Sequence, residues 1–189
     1  THRKTFDLCA WSFVTDWMKH LHIISPEVPF PLIDGKAIDV YYMLANLHQL
    51  GVNIHLHCIT QQRDAIPELE ALCEEVYFYP RKKSLNPIPS KLPHSIQSGE
   101  IGGMLEILRE DEEPILFIGL ATTYFLGHPD FKHRMKIVRI QHLEWEDFYQ
   151  KSQRVSHLIK RKSFSAESRL LKEWEHMLEH ADQILAASP

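Results

Sequence analysis

Apolar positions along this chain switch repeatedly between a period near two and a period near four, and the order of the switches predicts alternating strands and helices. His20–Ser25 reads as a first strand, and three prolines within 26–31 force the segment after it into a loop. From Lys36 to Gln49, Ile38, Tyr41, Tyr42, Ala45, Leu47 and His48 recur in neighbouring turns, as in a helix that Gly51 ends. Val52–Thr60 alternates like a second strand, 66–75 reads as a short acidic helix, and Val76–Tyr79 as a third strand. Four prolines make 80–93 a loop, and helix returns over Ser98–Arg109. Pro114–Leu120 and Lys136–Ile140 are apolar enough to be strands buried on both faces. A long amphipathic helix follows, packing through Leu171, Trp174, Met177 and Leu178, and a short strand, Gln183–Ala187, closes the series. Strands alternating with helices predict an α/β fold, a Rossmann-like parallel sheet with helices on both faces.

At 189 residues the chain suits one domain with a real core. The net charge of −4 argues against a nucleic-acid partner held by overall charge. Three cysteines, Cys9, Cys58 and Cys73, lack metal spacing and read as free thiols in a reducing compartment. Thirteen histidines are scattered. His55 and His57 share a strand face, and His176 and His180 a helix face, but two such residues hold zinc only when a third ligand arrives, so no metal is expected. No apolar run approaches the roughly 18 residues that span a bilayer. Residues 1–17 carry no secretory pattern, and Met18 reads like a natural start. That segment is expected to be an appended extension, the alternative being a helix packed through Trp11, Phe13 and Trp17.

Ligands of open α/β sheets sit beyond the carboxyl ends of the strands. Such ends here carry Asp34, Gly35 and Lys36 after the first strand, Tyr124, Gly127 and His128 after the apolar strand, and His142 and Glu144 after Lys136–Ile140. Imidazole can donate or accept a hydrogen bond near neutral pH, which makes His142 the leading candidate. Glu144 could orient it, and Arg139 could equally form a salt bridge. The first loop has no G-x-G-x-x-G, so the fingerprint of a nicotinamide or flavin dinucleotide fold is missing and no cofactor is expected.

The stretch from 137 onward resembles the N-terminal domain of retaining GT-B glycosyltransferases of the family 4 type. It has a strand ending in arginine, histidine and glutamate (Arg139, His142, Glu144), a helix with Glu167, Ser168, Leu171 and Glu175, and the run Ala181, Asp182, Ile184, Leu185, Ala186 and Ser188. The resemblance covers about 18–188 and implies an acceptor-side domain over 18–189. A C-terminal nucleotide-sugar-binding domain would be absent from this chain, which alone would transfer no sugar. It implies a sugar moved from a nucleotide-diphosphate sugar to a glycan or glycolipid hydroxyl with retention, in polysaccharide or glycolipid synthesis. His142 would be catalytic at the cleft, with Gly35, Lys36, Asp34, Glu144, Tyr124 and Arg139 contacting donor or substrate. The expected location is cytoplasmic, with peripheral contact at the inner membrane through two basic loops, Arg81–Lys83 and Lys160–Lys162. Glu167, Glu173 and Glu175 read as surface residues pairing with Arg169 and Lys172. The rival readings are a non-catalytic flavodoxin-like binding module and an epimerase- or dehydrogenase-type enzyme, the second disfavoured by the missing glycines.

Overall fold

The computed structural model describes residues 19–60, 65–81, 91–98 and 101–186. The expectations for 1–17, Cys9, Lys82, Lys83, Ala187 and Ser188 fall outside these residues. Six strands form one sheet: β1 (His20–Ser25), β2 (Asn53–Ile59), β3 (Glu75–Tyr79), β4 (Ile115–Ile118), β5 (Lys136–Ile140) and β6 (Gln183–Ala186). Their order is β3-β2-β1-β4-β5-β6, and every pairing is parallel. This is the doubly wound order, in which the chain winds outward first to one side of β1 and then to the other. The switch point lies between the carboxyl ends of β1 and β4.

Both faces of the sheet are covered. Leu21, Ile23, Ile54, Leu56, Leu116, Ile118 and Ile137 pack with Val40, Met43, Leu44 and Leu47 of helix α1 (Gly35–Gln49). Ile24, Ile59, Phe117 and Val138 face the other way, onto Met104 and Leu108 of helix α4 (Gly102–Leu108). Leu44 and Leu47 are essentially inaccessible, so truncating either to alanine should cost about 2–5 kcal/mol. Gly51, at φ 80, ends α1 as anticipated, with its N–H on the His48 carbonyl.

Several boundaries differ from the sequence reading. The acidic helix shrinks to α2 (Pro67–Glu70), and Glu75 joins β3. The helix expected over 98–109 begins later, as α4 (Gly102–Leu108), and an unforeseen short helix, α3 (His94–Gln97), precedes it. The apolar strand stops at Ile118 because Gly119 turns the chain at φ 77 into a 3-10 helix, Leu120–Phe125. The long C-terminal helix is α5 (Glu144–Arg154) and α6 (Leu158–Trp174), separated where Val155 turns extended. Lys160, Arg161 and Lys162 therefore lie on a helix, not in a loop. Glu167 and Glu175 are not idle surface groups. Glu167 accepts the His94 and Ser95 N–H groups at the start of α3, and Glu175 accepts the Trp145 indole N–H at 2.8 Å.

The strand parity of the histidines has an unforeseen result. His22 and His57 point to the face shared with α4 and are buried there. His22 Nε2 lies 2.9 Å from Asp111 Oδ2, His22 Nδ1 lies 2.8 Å from His57 Nε2, and His57 Nδ1 lies 2.9 Å from the Tyr79 hydroxyl. Asp111 also accepts from Arg134 at 2.7 Å, and the surrounding charges and hydrogen bonds outweigh its desolvation to keep its carboxyl below the usual range. An ionised carboxylate can only accept, so His22 Nε2 donates to it and His22 Nδ1 accepts from His57. Tyr79 in turn donates to His57. Every proton is placed by the one acceptor at the end of the chain. No buried side-chain nitrogen or oxygen among the described residues lacks a partner, as a polar interior requires.

Candidate functional site at the switch point

The loop leaving β1 ends at Asp34, whose carboxylate caps α1 by accepting the Lys36 and Ala37 N–H groups, both at 2.9 Å. Capping of this kind stabilises a helix by about 1 kcal/mol. It also fills the two N–H groups an incoming phosphate would use, so an anion there must meet the Lys36 side chain or displace Asp34. Gly35 has open space where a side chain would stand.

Lys36 reaches across the switch point. Its Nζ lies 2.9 Å from His142 Nε2, just past the end of β5, and 3.7 Å from Asp147 Oδ2 in the first turn of α5. His142 Nε2 is also 3.0 Å from Asp147 Oδ2. One ring nitrogen thus lies between a cation and an anion. It can accept from Lys36 or donate to Asp147, but not both at once. Burial, and then the Lys36 charge, hold the His142 pKa below its ordinary value, against the opposing pull of Asp147. The imidazole is therefore uncharged at neutral pH and half-buried.

Glu144, two residues on, turns away from His142. Its carboxylate accepts the Ala121 N–H at 3.1 Å and braces the start of the 3-10 helix beyond β4. A Cβ at Gly119 would sit 2.4 Å from Glu144 Oε1. Gly119 is thus required both for its positive φ and for this contact. Burial raises the Glu144 pKa, opposed by the Ala121 and Leu120 N–H groups and by Lys36.

Arg139 is committed elsewhere. Its guanidinium grips Asp39 of α1 with two hydrogen bonds, one of them 2.9 Å, and Gln141 joins at 2.6 Å. These bonds outweigh desolvation and hold the Asp39 carboxyl below its usual range. The pair pins α1 to the end of β5 and so sets the span between Lys36 and His142. Tyr124 is half-buried on the 3-10 helix, edge-on to Phe125 at 5.1 Å and packed against the core.

The structure therefore brings together Lys36 and His142, with Asp34 and Gly35 at the start of the Lys36 helix and Glu144 directed to the loop beyond β4. Sequence reasoning missed Asp147 and Asp39. Asp147 sits three residues after Glu144 in an acidic first helical turn, a pattern that could have flagged it. Asp39 gave no signal, because its partner lies 100 residues away.

No family profile and no curated protein matches the chain in sequence. Solved structures match it in fold. UGT2 of Phytolacca americana, a UDP-glycosyltransferase solved without ligand, superposes with a TM-score of 0.53 at 11% identity, over 90% of this chain and 46% of that one. The shared feature is the Rossmann-like parallel sheet that makes up one half of a GT-B fold. The chain spans about half the length of the enzyme it matches. At this identity the likeness is one of architecture alone.

Proposed function

We propose that the chain is the N-terminal, acceptor-side domain of a glycosyltransferase that moves a sugar from a nucleotide-diphosphate donor to a hydroxyl of a glycan or glycolipid. The carrying observation is the Lys36–His142–Asp147 cluster at the switch point of a GT-B sheet. His142 is the group that meets the transferred sugar. Uncharged at neutral pH, it accepts a hydrogen bond from a sugar hydroxyl or donates one to it, while Asp147 and Lys36 fix its ring. The Lys36 ammonium, on the lip of the crevice, favours the build-up of negative charge as the donor phosphate departs. Gly35 leaves room for a close approach, and Glu144 holds the β4 loop that forms the opposite wall. Arg139 acts through α1 rather than on substrate. Retention of anomeric configuration and a family 4 type enzyme follow from the sequence resemblance, and the main grip on the nucleotide is assigned to a second domain.

The test is transfer by the protein in its native reading frame, offered a panel of nucleotide-diphosphate sugars, with the product linkage read by NMR. An α-linked product from an α-linked donor supports the proposal, and a β-linked product ends the retaining assignment. No turnover on any donor, with the fold intact, favours a non-catalytic binding module.

A peripheral contact with an anionic membrane face accompanies this reading. No helix among the described residues is long and apolar enough to cross a membrane. The first turn of α6, however, exposes Leu158 (69%) and Ile159 (75%) beside Lys160, Arg161 and Lys162. Exposed apolar side chains next to basic ones suit a headgroup boundary. A cytoplasmic location fits the free, buried Cys58 and Cys73 thiols.

A further inference from the structure

The opposite end of the sheet, where the strands begin, holds a second cluster. His20 opens β1, His55 lies on β2, and Glu74 immediately precedes β3. One ligand atom from each lies within 4.8 Å of the other two. Strand register enforces this, since His20 pairs with Asn53, His22 with His55, and His55 with Glu75. His55 and His57 share a face, as the sequence suggested, but His57 is consumed by His22 and Tyr79 and offers no lone pair. The ligand that joins His55 comes instead from β1.

We propose that His20, His55 and Glu74 form a binding site for a divalent cation of the zinc type. Two features beyond proximity support this. The first is uncommitted capacity. Among the described residues His55 has no hydrogen-bond partner, its nearest charged neighbour being Glu75 at 3.8 Å, and His20 has only the Asn53 amide at 3.4 Å. The second is stiffness. His55 is stacked on the buried His22 at 4.9 Å, and both histidines stand on paired strands. Two imidazoles and a carboxylate match the preference of zinc for nitrogen and oxygen donors, and water or Glu75 can take the fourth position. Ligand atoms around a tetrahedral ion stand roughly 3.3–3.6 Å apart, given metal–ligand bonds of about 2.0–2.2 Å. The exposed Glu74 side chain must therefore close in by an ångström or so. The site lies at the amino ends of the strands, away from the sugar crevice, so its role is to clamp β1, β2 and the turn before β3.

The test uses the whole chain without a histidine tag, stripped of metal and titrated with zinc against a chromophoric chelator, then with cobalt(II) followed by visible absorption. One equivalent should bind, with the cobalt bands of a four-coordinate site and a raised melting temperature. Glu74→Gln changes an exposed side chain and should keep the fold. It and His20→Asn should each weaken binding at least tenfold and abolish the melting shift, while the double variant His176→Asn/His180→Asn should leave both unchanged. No saturable binding overturns the proposal, as does binding that survives both Glu74→Gln and His20→Asn.

Discussion

Acid should unfold this protein early, and His22 carries a share that can be worked out. Burial drives its pKa from 6.5 to about 4, outweighing the pull of the Asp111 hydrogen bond and charge, with Arg134 and His55 adding to the lowering. The folded state thus holds His22 neutral where the unfolded chain protonates it. A lowered folded value gives stability that is present above pH 6.5 and drains away as the pH falls toward 4. The gap between the two values is worth about 3 kcal/mol in total, of which about 2 kcal/mol is gone by pH 5. His57, buried beside it and also lowered, adds in the same direction. Asp111 extends the loss below pH 4 as its carboxylate protonates. Urea unfolding at pH 7.5 and pH 5.0, followed by tryptophan fluorescence, measures the difference directly. His22→Asn should be less stable at pH 7.5, because it disturbs the chain to His57, yet its loss between the two pH values should be smaller than the parent's by about 2 kcal/mol. Equal losses in parent and variant would refute the placement of a neutral, buried His22.

Four further outcomes follow from the geometry. Gly119→Ala forces a side chain into φ 77 and against Glu144, and should cost about 2–4 kcal/mol in urea unfolding; a cost below about 0.5 kcal/mol would contradict the contact. Arg139→Ala strands the Asp39 charge and should cost about 2–3 kcal/mol, whereas the double variant with Asp39→Asn should recover part of that in a double-mutant cycle. Lys36→Met removes a charge that lowers the His142 pKa, so the acid limb of kcat/KM in the full enzyme should move to higher pH; an unmoved limb would separate Lys36 from His142. Leu158→Ser/Ile159→Ser should reduce co-sedimentation with phosphatidylglycerol vesicles but not with phosphatidylcholine vesicles, and unchanged binding would remove α6 from the membrane contact.

Much of the scaffold was legible because local pattern and tertiary role agree. Gly51 marks the end of α1 in sequence and in structure, and the ends of β1 and β5 follow from their apolar runs. The parallel sheet follows from the alternation of strands and helices, whereas the strand order that sets Lys36 against His142 comes from the structure. Illegible features depend on distant partners. The break between α5 and α6 carries no proline or glycine, since Val155 simply turns extended. Glu167 looks like a surface glutamate until α3 is docked beneath it. The histidines of β1 and β2 read as a metal pair or as noise, because only strand register shows that His22 and His57 complete a hydrogen-bonded chain from Asp111 while His20 and His55 are left with capacity to spare. Gly119 combines both kinds of signal: its positive φ is a local requirement, while the Glu144 oxygen that a Cβ would meet comes from 25 residues away.

His142 at the reacting end of the crevice is tested most directly by the turnover of His142→Ala in the native reading frame, at saturating donor and acceptor. A fall in kcat of about a hundredfold or more, with the urea midpoint unchanged, is the predicted result. Turnover within two- to threefold of the parent, roughly 0.5 kcal/mol in barrier, would contradict it.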